Sequence, residues 1–526
     1  MSGDAAEVTP EPVKPPKPVA VIDIGTTSIR MAIAEIDSAN GVRILETLSQ
    51  AANLGKDTFT RGSLSKATIE QCVRVLKSYS QKLRQYQISE PSQLRVVATS
   101  AVREAVNRLA FLDRIYIATG IEVEPIDEVE VNRVTYLSIL PLLQAEPTLA
   151  NARSIIVEVG GGSTDLLLVN DGNVMYAHTY RLGSLRLHET LEAHQAPSVK
   201  MRQIMEGQIQ HTIHQIEEHV PSEGSVEMIA LGGDVRFAAD QLLPDWNQNV
   251  LARIPVDLLE QFTGELLCQT EDEIVRHYHL SYQEAETVGP ALLVYVQLAK
   301  ALKLVNVIVS NTNLRDGLLK EMAVSQVWTS EYRNQIIRSA LDLGRKFQFD
   351  EAHAQHVAKL CDILFEQLQD EHQLDSRYQL ILHLAALLHE LGMYVNTQSH
   401  HKHSMYLIQN SELFGLRRRD LRLVALTARY YRRATPKPTH EGYGELTRDE
   451  RIAVSKMAAL LRIGVALDDS RSQRIHEFHC ERENDRLVIS FPNIEDLSLE
   501  QLAVRQNCSI FEEIFGLQVQ LRTVHS

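Results

Sequence analysis

The sequence predicts an α/β protein: two lobes of like build, followed by an all-α domain and a small α+β cap. Three observations carry that prediction. In residues 156–169, apolar and largely β-branched stretches read as two buried strands around Gly160-Gly161-Gly162-Ser163-Thr164, with Glu158 and Asp165 at the two ends. In residues 19–34 the pattern returns: two apolar strands flank Gly25-Thr26-Thr27-Ser28, with Asp23 just before the turn. Two such strand–loop–strand units predict duplicated lobes closing on one ligand. Near residue 330 the spacing becomes helical and histidines become frequent, among them His353, His356, His389, His400, His401 and His403.

The bulk properties narrow the function classes. A length of 526 residues suits three to four domains, at ~150 residues each. Nowhere is there an apolar run of about 18 residues, so no membrane span is expected. Residues 1–18 are rich in Pro, Lys and Glu without an apolar core, which predicts a flexible tail and not a signal peptide. Cys72, Cys268, Cys361, Cys480 and Cys508 are scattered and odd in number, so a reducing cytoplasmic setting is expected. The net charge of −15 argues against general nucleic-acid binding. It leaves room for an anionic ligand, because local fields outlast a Debye length of only ~8 Å. Basic clusters exist at Arg417-Arg418-Arg419 and around Tyr430-Tyr431, between Arg429 and Arg432-Arg433.

Taken in order, each element has a reason. A tight turn without β-carbons lets backbone amides converge on an anion, so Gly160, Gly161 and Gly162 make a candidate phosphate loop, to which Ser163 and Thr164 add hydroxyl donors. Gly25, Thr26, Thr27 and Ser28 form its counterpart. Glu158 and Asp165 are candidates to hold Mg²⁺ or orient a water, and Asp23 is a second metal candidate. A strand ending at Ala98 runs into Thr99-Ser100, a helix N-cap signal, which places Arg103 in the first turn. A cation there opposes the helix dipole and calls for an anion, either a phosphate or a neighbouring acid such as Glu104. Residues 121–126 read as a strand and 127–137 as a helix capped by Asp127. A turn enters a helix across 180–187, and a third strand ends in Gly232-Gly233, further candidates for phosphate binding. A strand at 307–310 and a helix at 313–320 close the α/β part; strands return at 486–491 and 517–521. The expected domains are 1–18, 19–145, 146–325, 326–472 and 473–526.

These motifs together resemble the exopolyphosphatase/guanosine pentaphosphate phosphatase family, of actin-like (ribonuclease H-like) fold. The resemblance rests on the two loops, on Ala98-Thr99-Ser100-Ala101-Val102-Arg103-Glu104-Ala105 with Asn107, and on Leu182-Gly183-Ser184-Leu185-Arg186-Leu187. It continues in the helical half through Leu388-His389-Glu390-Leu391-Gly392 and His401-Lys402-His403-Ser404, and there resembles an HD-type domain. It implies a Mg²⁺-dependent attack of water on a terminal phosphoryl group, with inorganic polyphosphate or a guanosine tetra- or pentaphosphate as ligand. It also implies a homodimer joined through the helical domain and its Tyr430-Tyr431 cluster.

Three acidic positions depart from the family pattern. Glu158 stands where the resemblance expects Asp, and Asp165 where it expects Glu. Val131 stands where the family carries its water-activating Glu. Glu130, one step earlier, or else Glu128, is the candidate to replace it, although Glu130 lies about 100° away on the helix. The competing reading is a phosphate sensor that kept its loops and lost its base. In the helical half, the positions that bind metal in HD domains are filled by His353, His389-Glu390 and Asp468, with Glu in place of the usual Asp. The resemblance implies a structural helical domain here, not a second hydrolase.

Overall fold

The computed structural model describes residues 17–37, 41–150, 152–193, 198–220, 226–323, 330–411, 413–432, 434–492, 494 and 496–524. Most of the expected N-terminal tail lies outside the described residues; its last two, Lys17 and Pro18, already belong to the first strand. The chain divides into two compact units, Met1–Gln326 and Val327–Ser526.

The first unit holds two sheets of one design. In the first, β1 (Lys17–Ile24), β2 (Ser28–Ile36) and β3 (Val42–Ala51) form an antiparallel meander, and β4 (Leu94–Ala98) and β5 (Glu124–Pro125) add in parallel, giving the order β3-β2-β1-β4-β5. The second repeats this with β6 (Arg153–Val159), β7 (Thr164–Asn170) and β8 (Asn173–Tyr180) as the meander and β9 (Val226–Leu231) in parallel beside β6. β11 (Asn306–Val309) then pairs in parallel with β9, and β10 (Ala252–Pro255) closes the edge.

Strand alternation sorts the first sheet's side chains into two cores. Ala20, Ile22, Ile24, Ile29, Met31 and Ile33 pack on one face with Cys72, Leu76 and Tyr79 of the Lys66–Gln85 helix. Val19, Val21, Ala32 and Ala34 pack on the other with Val131 and Val134 of the Glu128–Ala145 helix. Both faces are covered, so nearly every residue of β1 and β2 can be apolar. Leu314, Leu318 and Leu319 join that second face. Their helix, Leu314–Ala323, follows the second sheet in sequence but packs on the first, so a cut at 145/146 does not separate the lobes. Charged contacts reinforce the return: Glu321 accepts from Arg133 at 2.8 Å and from Arg95 at 3.2 Å.

The second unit is helical, from Ser330–Lys346 to Arg448–Ala466, and ends in a three-stranded sheet of β12 (His479–Glu483), β13 (Arg486–Pro492) and β14 (Gln518–Val524). Tyr430 and Tyr431 are not a surface feature: they are 0% and 6% exposed, and Arg462 Nε donates to the Tyr430 carbonyl at 2.9 Å. The dimer expectation therefore loses these tyrosines as its contact; Arg433 lies outside the described residues. No described helix is long and apolar enough to cross a membrane.

A methyl group at Gly317 would overlap the Val134 carbonyl, because the Leu314–Ala323 and Glu128–Ala145 helices touch there backbone to backbone. Gly317→Ala gains about 1 kcal/mol of helix propensity but must force the helices apart, at about 1–3 kcal/mol for an overpacked contact. Chemical denaturation should show a net loss of stability; a stabilised variant would mean that the helices part freely.

Candidate active site in the cleft of the first unit

Each lobe presents its first hairpin to a common cavity, and the two tips are closed alike. Gly25 N–H donates to Ser28 O at 3.0 Å, and Gly160 N–H to Ser163 O at 2.8 Å. The closing bond lies outside the tip, so it does not consume the amides of Thr26, Thr27, Gly161 and Gly162. The same register sets one cross-strand pair at each hairpin base: Asp23 opposite Arg30, and Glu158 opposite Asp165. Residues two apart on a strand share a face. All four therefore line the cavity.

The tips touch across the cleft. A side chain at Gly161 would overlap the Thr26 hydroxyl, and one at Gly162 would meet Ser100 and Phe59. Behind the glycine loop, the 182–187 turn holds its carbonyls. Ser184 N–H donates to Gly160 O and Arg186 N–H to Gly161 O, both at 3.0 Å, and Arg186 Nε donates to Gly162 O at 3.0 Å. The Arg186 guanidinium lies 4.2 Å over the Phe59 ring and pairs with Glu104 at 2.9 Å. The carbonyls thus face away from the ligand side, which suits an anion.

Of the expected phosphate ligands, Gly25, Thr26, Thr27, Ser28 and Arg103 line the cavity, as do Gly160, Gly161, Gly162, Ser163, Gly232 and Gly233. Thr164 does not: its side chain points to the opposite side of the strand and donates its hydroxyl to Leu182 O at 2.5 Å. The dipole reason for Arg103 also fails, because its helix is only Ser100–Glu104 and Thr99 makes no side-chain cap. Arg103 is instead held by Ile126 O at 3.0 Å and Glu128 at 3.3 Å, while Glu104 serves Arg181 and Arg186.

Glu130 is corrected as a catalytic candidate. It is 6% exposed and turned away from the cavity, its carboxylate taken by Arg133 at 2.7 and 2.9 Å and by Arg95 at 3.3 Å. Val131 occupies the wall instead. The arginines decide this rotation, since a buried carboxylate must go where its cations are.

Burial raises the pKa of three of the cavity's acids. Burial raises the Glu158 pKa, countered in part by Arg236. Burial pushes Asp165 up to about 7, although the Thr179 hydroxyl donates to it at 2.5 Å and Asn132 in turn donates to Thr179 at 3.2 Å. Asp234 is raised to about 6, again chiefly by burial. Asp23 reaches Arg315 at 3.5 Å through one oxygen, and its other oxygen is buried without a hydrogen-bond partner. Carboxylate oxygens with an unfilled lone pair, set against a donor-lined loop, fit a hard divalent cation such as Mg²⁺. Sequence reasoning missed Arg30, Asp234 and Glu284. Arg30 had a signal: it follows Ser28 by two, as Asp165 follows Ser163.

Two sheets of one topology, clasping a cleft between matched hairpins, define an actin-like α/β protein. The comparisons sharpen this. Residues 20–326 match the model of the Ppx/GppA phosphatase family, and residues 337–504 match Ppx/GppA phosphatase domain III. The chain belongs to the Ppx/GppA phosphatase family. A guanosine-5'-triphosphate,3'-diphosphate pyrophosphatase of Photobacterium profundum is 21% identical over 496 residues, covering 93% of this chain and 95% of that protein. Among solved structures, an exopolyphosphatase from Cytophaga hutchinsonii superposes with a TM-score of 0.53 at 20% identity, over 59% of this chain and 98% of its own. The family member from Aquifex aeolicus does so at 0.50 and 21%, over 60% and 100%.

The raised carboxyls carry a pH signature. In the unfolded chain an Asp carboxyl titrates near 3.8, whereas in the fold Asp165 holds its proton to about 7. Between those values the folded state binds a proton that the unfolded state has released, so this group's contribution to stability falls as pH rises through the window. With divalent cations chelated, Asp165→Asn should therefore gain in unfolding midpoint relative to wild type as pH goes from 4.5 to 8. A difference that does not change with pH would refute the raised value.

Proposed function

We propose that the cleft hydrolyses the terminal phosphoanhydride of inorganic polyphosphate or guanosine pentaphosphate, releasing orthophosphate. The observation that carries this reading is the pair of identically closed hairpin tips facing one cavity, with hydroxyls, free tip amides and Arg103 around it. Family membership supports a phosphohydrolase, and two relatives, a guanosine-5'-triphosphate,3'-diphosphate pyrophosphatase and an exopolyphosphatase, supply the two candidate substrates. An apolar wall of Phe237, Leu280 and Val288 beside Glu284 suits a purine base, which favours the nucleotide.

In this mechanism the tip amides and the hydroxyls of Thr26, Thr27, Ser28 and Ser163 bind the terminal phosphate oxygens, and Arg103 adds a charge-assisted contact. Asp23 and Glu158 would hold Mg²⁺, which supplies positive charge to the phosphate oxygens. Asp165, oriented by Thr179, accepts the proton of the attacking water. Water's oxygen bonds to phosphorus, the bridging P–O bond breaks, and the shortened chain leaves. The loose transition state of phosphoryl transfer demands less of a base than acyl transfer does, which is how a wall of Val131 is compatible with turnover.

A second reading, binding without turnover, is favoured by Val131 alone. Phosphate release from both substrates separates the two. Asp165→Asn should cost about 10²–10⁴-fold in kcat, while Glu130→Gln, remote from the cavity, should leave kcat within a few-fold and lower stability by about 1–3 kcal/mol. A wild type that binds but scarcely turns over, with Val131→Glu raising the rate ~10²-fold or more, would establish the sensor instead.

A further inference from the structure

We infer that Tyr295 is a positioning residue for the cleft: its hydroxyl wedges β6 and β9 apart where they end, and so sets the spacing of the glycine loop and the Gly232–Gly233 turn. The inference rests on the reading of the cleft as a phosphoanhydride site, and it adds a residue that does not itself line the cavity. Tyr295 is 0% exposed and belongs to the Tyr282–Ala301 helix. Its Oη accepts from Val159 N–H at 2.8 Å and donates to the Leu231 carbonyl. Val159 immediately precedes Gly160, and Leu231 immediately precedes Gly232. One oxygen atom thus joins the strand residues behind both turns.

The other lobe shows what the wedge replaces. Gly160 is bonded to Ser163 across the hairpin, so in the antiparallel ladder Val159 directs its N–H away from β7, toward β9. In the first sheet, β1 and β4 stay paired as far as Ile24–Ala98, and Ile24 is the residue before Gly25. In the second, β6 and β9 stay paired only to Glu158–Leu231, one residue short of Val159. The phenol occupies the missing step. Gly232 accommodates it with a φ of 116°, and a β-carbon there would stand 3.3 Å from the hydroxyl. Splayed ends of neighbouring parallel strands are where α/β sheets admit ligands. Neither strand closes the gap freely. The Gly160–Ser163 bond holds β6 on its far side, and Ser310, just past β11, donates to Ala230 O at 3.2 Å on the far side of β9. The same helix places Thr287 and Val288 in the cavity wall, and Val288 lies two turns before Tyr295 on one face. Packing of this helix therefore registers the wall against both turns. Burial raises the Tyr295 pKa well above the ordinary phenol value, so the hydroxyl keeps the proton it donates.

The test compares Tyr295→Phe with Tyr136→Phe in the full chain. Tyr136 is 3% exposed and donates to Gly172 O at 2.5 Å, at the end of the β7–β8 hairpin remote from the cavity, so it reports the loss of a buried hydroxyl alone. Tyr295→Phe should speed amide exchange by ~10-fold or more in peptides covering 158–162 and 230–234, because Val159 N–H loses its acceptor. It should also lower kcat for phosphate release from inorganic polyphosphate and guanosine pentaphosphate by ~10²-fold, with KM changed by only a few-fold. Tyr136→Phe should do neither. The inference is overturned if exchange in those two peptides matches wild type, or if the two variants lose kcat equally. A wild type that releases no phosphate defeats the hydrolase reading instead, and exchange then decides the inference by itself. One measurement needs no variant and so survives a failure of Tyr295→Phe to fold: in the wild type, Val159 N–H should be among the slowest-exchanging amides of the chain, and fast exchange there overturns the inference.

Discussion

The backbone of Gly161 and Gly162 lies against Thr26 and Ser100, and the cleft depends on that approach. Neither glycine has room for a β-carbon: Thr26 fills the space at one and Phe59 and Ser100 fill it at the other. Because the glycine backbone of one lobe lies directly against the Thr26, Ser100 and Phe59 side chains of the other, the two hairpin tips address the same space. The 182–187 turn makes this possible by taking the Gly160, Gly161 and Gly162 carbonyls. What the glycine loop then presents to the cavity is its donors, the condition for binding a polyanion in a protein whose net charge is −15.

The same closeness explains the perturbed acids. Glu158, Asp165 and Asp234 are crowded into a low-dielectric wall, and burial raises all three. Arg236 and Arg315, themselves largely withdrawn from solvent, offset part of that cost: burial lowers their pKa while Glu158 and Asp23 respectively raise it. The site is thus a balance of buried charges of both signs, and it is costly enough that its retention needs a use.

Glu130 and Val131 illustrate how far such a balance reaches. The helix that carries them is capped by Asp127, which accepts from Glu130 N–H at 2.9 Å, and its rotation is then set by Arg95, Arg133 and Glu321. Those partners come from β4, from the same helix and from the Leu314–Ala323 helix that returns from the second lobe. A carboxylate beside the buried Arg133 and the half-buried Arg95 turns to them, and the adjacent valine turns to the cavity. The result is an apolar patch at a position where the family resemblance implies an acid.

What the sequence determined by itself was whatever short-range spacing controls. Continuous apolar runs along 19–34 and 156–169 marked the four central strands, the glycine and hydroxyl runs marked both hairpin tips, and helical periodicity marked the start of the second unit. The hairpin residues that line the cavity were legible for that reason, since a hairpin carries its own tip. Tertiary structure decided what depends on partners far along the chain. It turned Thr164 to Leu182, Glu130 to Arg95, and Tyr430 into the core beneath Arg462, and it brought Asp234 and Glu284 to the cavity. A sequence pattern says which residues share a face; the charges and carbonyls packed against that face say which of them reach the ligand.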